Sequence, residues 1–476
     1  MTFFNTEITW FLDVYILLIL GYAILIMSSY LALAYISTKE LRRYLKRNSF
    51  VDYDVLLTSE FAPKLSLIAP AYNEGLTIEE NVKSLLSLNY NNYQVIVVND
   101  GSKDNSMEIL TKTYDLVLTD LEFHPKIETK KIRGIYTSRN AALKKLIVVD
   151  KENGGKADAL NVGLNIAQNP YVVCIDVDCI LDKDSLLKLA KPFLESYGKR
   201  IIATGGVVRI ANQCIIKNGR LVEVNVPDVM LSRIQVLEYL RAFLLGRMAW
   251  GKLDGLLLIS GAFGAFDKEI AILSGGYSTK TVGEDMELIV RMRRYMLDNK
   301  LPYSVSYIPD PLCWTEAPED FKIFKKQRSR WMRGTIETLS IHRRMFLNPK
   351  YKLLGMLSVP YWTLFEFLAP AIEFIGLVIT AVFIVFGLLN WHFFFLLLLF
   401  VYTFAVLFSV IALYSEEKTY HKYPKQADFF KLLMAAFIEP FYFHPLTVYA
   451  ALIGYKEKMM GTKGWGEMTR KGFTKK

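Results

Sequence analysis

Cysteine is scarce here: 476 residues contain four, Cys174, Cys179, Cys214 and Cys313. None are spaced as paired metal ligands, so neither a zinc site nor a disulfide framework is expected, and all four read as reduced core residues. Internal repeats and low-complexity linkers are also missing. No nucleic-acid-binding signature accompanies the net charge of +10, so no nucleic-acid partner is expected. Basic residues are absent from 1–38, which include an apolar stretch at 8–36, whereas Lys39, Arg42, Arg43, Lys46 and Arg47 follow at once. A cleaved leader carries its positive charge first and ends at small residues. The opposite order predicts a retained anchor, N-terminus outside and the following chain inside, because Lys and Arg gather on the cytoplasmic side.

Hydrophobic residues make up 52% of the sequence, between the values usual for a soluble enzyme and for a purely membrane-embedded chain. The composition shifts accordingly. We expect an N-terminal transmembrane anchor at 1–37, a basic cytosolic linker at 38–63 and an α/β domain at 64–345. Interfacial and transmembrane helices at 346–455 and a basic cytosolic tail at 456–476 follow. Within 346–455, 361–389 and 393–414 are long enough to span a bilayer, with Asn390 and Trp391 as an outside turn. Residues 429–455 are apolar but interrupted by Lys431, Glu439, Pro440, His444 and Pro445, which predicts a broken or re-entrant pair lying partly in the interface.

In the α/β region, 65–69, 94–98, 146–149 and 171–175 are apolar, β-branched runs bounded by turn residues. They read as buried parallel strands, with helices at 79–88 and 156–167 between them. Ligands in such sheets bind beyond the carboxyl ends of strands. Pro70-Ala71-Tyr72-Asn73-Glu74-Gly75 and Asn99-Asp100-Gly101-Ser102 follow the first two strands. An acid beside a small-residue turn suits a base and its ribose, although Asp-Gly-Ser is also an ordinary turn.

Asp176-Val177-Asp178 follows the fourth strand. Acids two apart on an extended segment face the same side, and hard carboxylate oxygens suit Mg²⁺ or Mn²⁺ sharing its shell with a diphosphate. A solvated strand end is the plainer alternative. Gly283-Glu284-Asp285 opens a helix expected through 286–297. Acids there favour the helix dipole, and Asp285 also suits a general base. Gln327-Arg328-Ser329-Arg330-Trp331 offers guanidinium groups for a diphosphate and an indole face for a sugar ring. A basic amphipathic helix on the membrane surface is the alternative.

Taken in order, Asp100, Asp176-x-Asp178, Glu284-Asp285 and Gln327-x-x-Arg330-Trp331 resemble glycosyltransferase family 2, specifically its processive membrane polysaccharide synthases. The resemblance implies a GT-A-like nucleotide-sugar-binding domain, with a mixed, mainly parallel sheet, inserted between transmembrane helices. It implies that Tyr72 and Glu74 border the uracil, Asp100 binds the nucleoside, and Lys156 of Gly154-Gly155-Lys156 lies near the nucleotide. Asp176 would support the nucleotide and the metal, and Asp178 would ligate the metal. Asp285, with Glu284 beside it, would be catalytic, and Gln327, Arg328 and Arg330 would hold the diphosphate. Trp331 would stack on the acceptor sugar, and Ser260, Gly261 and Phe263 would form an acceptor-side loop. In the tail, Trp465 and Arg470 resemble a gating loop that folds over the nucleotide, the alternative being a basic terminus attracted to anionic lipid.

The first residue of the usual Thr-Glu-Asp is here Gly283. The implied activity is inverting, Mg²⁺- or Mn²⁺-dependent elongation of a β-linked polysaccharide at the plasma membrane. The donor would be a cytosolic UDP-sugar, with UDP-glucose favoured over UDP-N-acetylglucosamine and a β-glucan the favoured product. The growing polysaccharide and the lipid bilayer would be its partners. The alternatives are transfer of one sugar to a lipid carrier, or a transporter or scaffold with an inactive transferase domain.

Overall fold

The computed structural model describes residues 2–195 and 198–462. Its strands run, in chain order, β1 (Leu65–Ala71), β2 (Tyr93–Asn99), β3 (Leu116–Leu118), β4 (Ile132–Ser138), β5 (Leu146–Lys151) and β6 (Tyr171–Ile175). Then come β7 (Ile180–Leu181), β8 (Arg200–Ile210), β9 (Ile215–Lys217), β10 (Arg220–Glu223), β11 (Phe263–Asp267) and β12 (Tyr303–Thr315). Ten of them form one mixed sheet, ordered β3-β4-β5-β2-β1-β6-β11-β8-β12-β7, and β9 and β10 make a separate hairpin.

The block β5-β2-β1-β6 is parallel. Every residue of β2 is buried, and Leu65, Leu67, Ile68 and Ala69 of β1 are fully enclosed. Burial on both faces explains why these strands read as continuous apolar runs. Their register aligns Ala71 with Asn99 and Asn99 with Asp150, so three strands end together. The motifs of the loops beyond them therefore converge at one edge.

Around the sheet the helices depart from the sequence reading in four places. Residues 38–48 are not linker: one helix runs Thr2–Asn48, because no Gly or Pro interrupts the basic turns after the apolar stretch. A short helix, Tyr53–Thr58, capped by the Asp52 side chain, occupies part of the rest. The expected span at 361–389 is bent, with Leu354–Phe367 and Ala369–Val385 meeting at 41°. Residues 429–455 belong to a single helix, Gln426–Met459, with Pro440 and Pro445 inside it, and not to a broken pair. A proline removes one intrahelical hydrogen bond, and here tertiary contacts hold the helix at both ends. Near its start Lys431 pairs with Asp228, and near its end Ser329 donates to Glu457 and Lys458 pairs with Glu337.

Val14–Asn48 and Trp391–Thr419 are long and apolar enough to cross a membrane, and the bent pair makes a third if counted as one span. Asn390 caps the Trp391–Thr419 helix by accepting from the Phe393 amide, as suits a turn between spans. Among the described residues several ion pairs join the α/β domain to the long helices, and two of them are largely buried. Arg209 of β8 meets Glu416, both fully buried, and Arg241 meets Glu439 and Ser409.

Candidate active site

The loops after β1 and β2 clasp one another. Ser102 Oγ accepts from the Asn73 amide at 2.9 Å, Ser106 Oγ from Glu74 at 3.0 Å, and Asp104 from Gly75 at 2.8 Å, while Asn73 accepts from the Lys103 amide. Tyr72 is left exposed at the edge of this clasp. Asp100 is buried and accepts from Lys151 Nζ and from the amides of Gly154 and Gly155 at 2.9 and 2.8 Å. Burial pushes its carboxyl above the usual range, and these donors oppose the shift. Asp100 therefore holds the Gly154-Gly155 turn that opens the Lys156–Ile166 helix. Gly155 sits at φ +85°, a conformation that favours glycine.

Lys151, fully buried, bridges Asp100 and, at 2.7 Å, Asp158. The sequence reading passed over it, although a lysine ending an apolar strand signals a buried pair.

Lys156 reaches across the strand ends to Asp176 and lies 3.8 Å from Glu284. Burial alone lowers its pKa, but Asp176 and then Glu284 outweigh burial and raise it. Burial pushes the Glu284 carboxyl up to about 7, opposed by Lys156 and reinforced by Asp285. Asp285 Oδ2 accepts from the Gly261 amide at 2.9 Å and Oδ1 from the Met286 amide at 2.8 Å. A Cβ on Gly261 would come within 3.2 Å of Asp285 and 3.1 Å of Lys156 Nζ, so a larger residue here would press on both side chains.

Helix Phe321–Ile341 brings Gln327, Arg330 and Trp331 to the same cavity. Arg330 lies within electrostatic range of Glu284. Glu337, also missed from sequence, accepts from Thr281 Oγ1 and the Val282 amide and fixes the turn before Glu284.

Two expected site residues are placed otherwise. Arg328 forms a two-pronged ion pair with Glu238, at 2.7 Å on each prong, and packs over the Trp331 ring at 4.1 Å. With its guanidinium so engaged, it positions Trp331 and is not free to clamp a diphosphate. Phe263 is fully buried at the start of β11, paired with Ile175, and serves the core. Trp465 and Arg470 lie outside the described residues.

Asp100, Lys156, Asp176, Asp178, Asp285 and Trp331 all line one continuous cavity of about 2730 Å³. Away from the strand ends it runs between the helices, past Tyr22, Tyr30, Phe365, Phe408 and His444.

Sequence comparisons match this arrangement. Residues 171–406 match the family described as "Glycosyl transferase family group 2", and residues 66–146 match "Glycosyl transferase family 2". The chain belongs to glycosyltransferase family 2. Among its relatives in the family is a poly-beta-1,6-N-acetyl-D-glucosamine synthase of Staphylococcus epidermidis. The two are 29% identical over 278 residues, 58% of this chain and 55% of the relative. The Staphylococcus aureus synthase of the same name is 28% identical over 307 residues, 63% of this chain and 60% of the relative. The match thus spans a little over half the length of these curated relatives.

The fold is shared with a mannosyltransferase from Pyrobaculum calidifontis solved with GDP-mannose and Mn²⁺. The TM-score is 0.51 at 16% identity, covering 93% of this chain and 99% of that one. The sheet and its flanking helices are accordingly GT-A-like, as the family resemblance implies. Asp176 and Asp178 suit a divalent cation by chemistry, being hard oxygen donors close together at the cavity wall. Among the described residues no group of three or more His, Cys, Asp or Glu side chains is arranged for a metal. A cation would therefore complete its shell with diphosphate oxygens and water.

Proposed function

We propose that this chain is a processive, inverting synthase that extends a β-linked N-acetylglucosamine polymer from UDP-N-acetylglucosamine. One observation carries the reading: a single cavity joins the carboxylates at the strand ends, Trp331 and the apolar helices. A polymer-extending enzyme must clear its product after every addition, and this cavity offers a way out of the site. The relatives' names favour N-acetylglucosamine over the glucose preferred from sequence, and nothing in the comparisons supports a β-glucan product.

In the proposed reaction Tyr72, Glu74 and Asp100 border the nucleoside, and Lys156, Gln327 and Arg330 face the diphosphate. Trp331 supports the terminal sugar of the acceptor. Asp285, oriented by the Gly261 and Met286 amides, takes the proton from the attacking hydroxyl as that oxygen bonds to the anomeric carbon from the face opposite the leaving group. Asp176 and Asp178 would hold Mg²⁺ or Mn²⁺, which would supply Lewis-acid stabilisation to the departing diphosphate.

Membrane placement follows the same reading, with the N-terminus and Asn390 outside the plasma membrane and the transferase domain in the cytosol. The Gln426–Met459 helix, tied to that domain near both ends, lies along the cytosolic face. Thr462 lines the cavity and its carbonyl accepts from Arg333.

A donor panel tests the proposal. Purified full-length protein should release UDP and build polymer with UDP-N-acetylglucosamine far faster than with UDP-glucose, and β-N-acetylhexosaminidase should degrade the product. Equal or faster use of UDP-glucose, or a product that stops at one added sugar, would overturn it.

A further inference from the structure

Most of the charge on the cavity wall is already spoken for. Glu238 pairs with Arg328, Arg241 with Glu439, and His444 with Glu373. Arg247 and Glu366 differ. Both line the cavity, and among the described residues neither makes an ion pair or a side-chain hydrogen bond. Arg247 Nη1 is buried without a partner, and its guanidinium is held 3.8 Å over the Phe243 ring.

Arg247 is within electrostatic range of Asp285 and of Glu366, so the pair continues from the base toward the membrane helices. Tyr22, Tyr30 and Tyr361, all on the cavity wall, lie within electrostatic range of Glu366. The backbone sets both residues apart as well. Arg247 ends the π-helical turns Leu240–Arg247, and Glu366 lies in the π-helical turn Thr363–Phe367. Such turns are rare and recur at functional sites.

Arg247 is half-buried and Glu366 exposed on the same cavity wall, so each presents its charge to whatever occupies the cavity. These two share the cavity without touching, which leaves a gap for a group that satisfies both. A guanidinium only donates and a carboxylate only accepts. A secondary amide presents both complements, a carbonyl to the arginine and an N–H to the glutamate. We propose that Arg247 and Glu366 form an acceptor subsite on the membrane side of Asp285. There they bind the 2-acetamido group of a sugar already in the chain, with the neighbouring tyrosines against its ring. The subsite rests on the N-acetylated product argued above. It adds a second check on identity, since one amide answers both groups at once, whereas a glucose unit must answer them with separate hydroxyls or share one between them.

The test is calorimetric binding of β-linked di-N-acetylglucosamine, and of diglucose with the same linkage, to purified full-length protein saturated with UDP. Wild type should bind the N-acetylated disaccharide at least about tenfold more tightly. Glu366→Gln and Arg247→Lys should each weaken it by about 10- to 100-fold while leaving diglucose binding and UDP affinity as in wild type. Equal binding of the two disaccharides by wild type would overturn the subsite. So would a variant that binds UDP and still holds the N-acetylated disaccharide as tightly as wild type. UDP release from UDP-N-acetylglucosamine by the same preparation tests the donor separately: its absence would sink the donor reading, while the disaccharide data would still decide the subsite.

Discussion

Asp285 is held by two backbone amides and faces the cavity beside Gly261, so its oxygens are aimed before substrate arrives. Asp285→Asn should cut polymer formation by about 10²–10⁴-fold, the usual worth of a general base, and leave UDP affinity nearly unchanged. A parallel loss of UDP binding would move Asp285 into the nucleotide pocket. Asp178→Asn should abolish transfer and remove the Mg²⁺- or Mn²⁺-dependent part of UDP binding, because an amide is a poorer ligand for a hard cation. Titrating UDP with and without metal measures this, and unchanged metal dependence contradicts the assignment.

Glu284 adds a pH signature. Its carboxyl is raised from an ordinary 4.5 to about 7 by burial. Below pH 4.5 it is protonated both folded and unfolded and contributes nothing. As pH rises the unfolded chain ionises first, which favours unfolding, and the penalty levels off above about 7. Thermal unfolding of Glu284→Gln against wild type should therefore show a difference that grows in the mutant's favour from pH 4.5 to 7. A difference constant across that range would contradict this.

Helix Glu284–Asp298 and helix Phe321–Ile341 touch backbone to backbone. A Cβ on Gly283 or on Gly334 would lie 2.7 Å from the other's Cα. This contact accounts for glycine at both positions. Replacing a helical glycine by alanine ordinarily stabilises by up to about 1 kcal/mol. Gly334→Ala and Gly283→Thr should instead destabilise by about 1–3 kcal/mol, as overpacking does, and reduce transfer by separating Asp285 from Arg330. Unfolding midpoints and transfer rates check this, and a stabilised Gly334→Ala would show that the helices can part freely.

Much of this was legible in the sequence because its signals are local. Parallel strands buried on both faces read as apolar runs, and acids placed just after them mark the cavity edge. The contacts that misled or escaped are long-range. The Gln426–Met459 helix survives two prolines through partners more than a hundred residues away, as Glu457 does with Ser329. Arg328 is claimed by Glu238, 90 residues earlier, and nothing near either residue announces it. Phe263 sits beside a functional loop in sequence and inside the core in space.

The molecule joins its two parts through buried charge. Arg209 with Glu416 and Arg241 with Glu439 fasten the sheet and its helices to the segments between which the cavity continues. Breaking one partner of such a pair leaves an uncompensated buried charge, so the transferase domain and the membrane helices are held in fixed register. That register keeps the Asp285 end of the cavity aligned with its continuation between the helices.

Proteoliposomes test this account most directly. They would hold the purified chain alone, with its transferase domain facing outward, and receive UDP-N-acetyl[¹⁴C]glucosamine from outside. Labelled polymer should accumulate in the lumen, lengthen with time, and resist added β-N-acetylhexosaminidase until detergent opens the vesicles. Polymer released wholly to the outside, digested at once by the enzyme, would contradict a cavity that carries the product across.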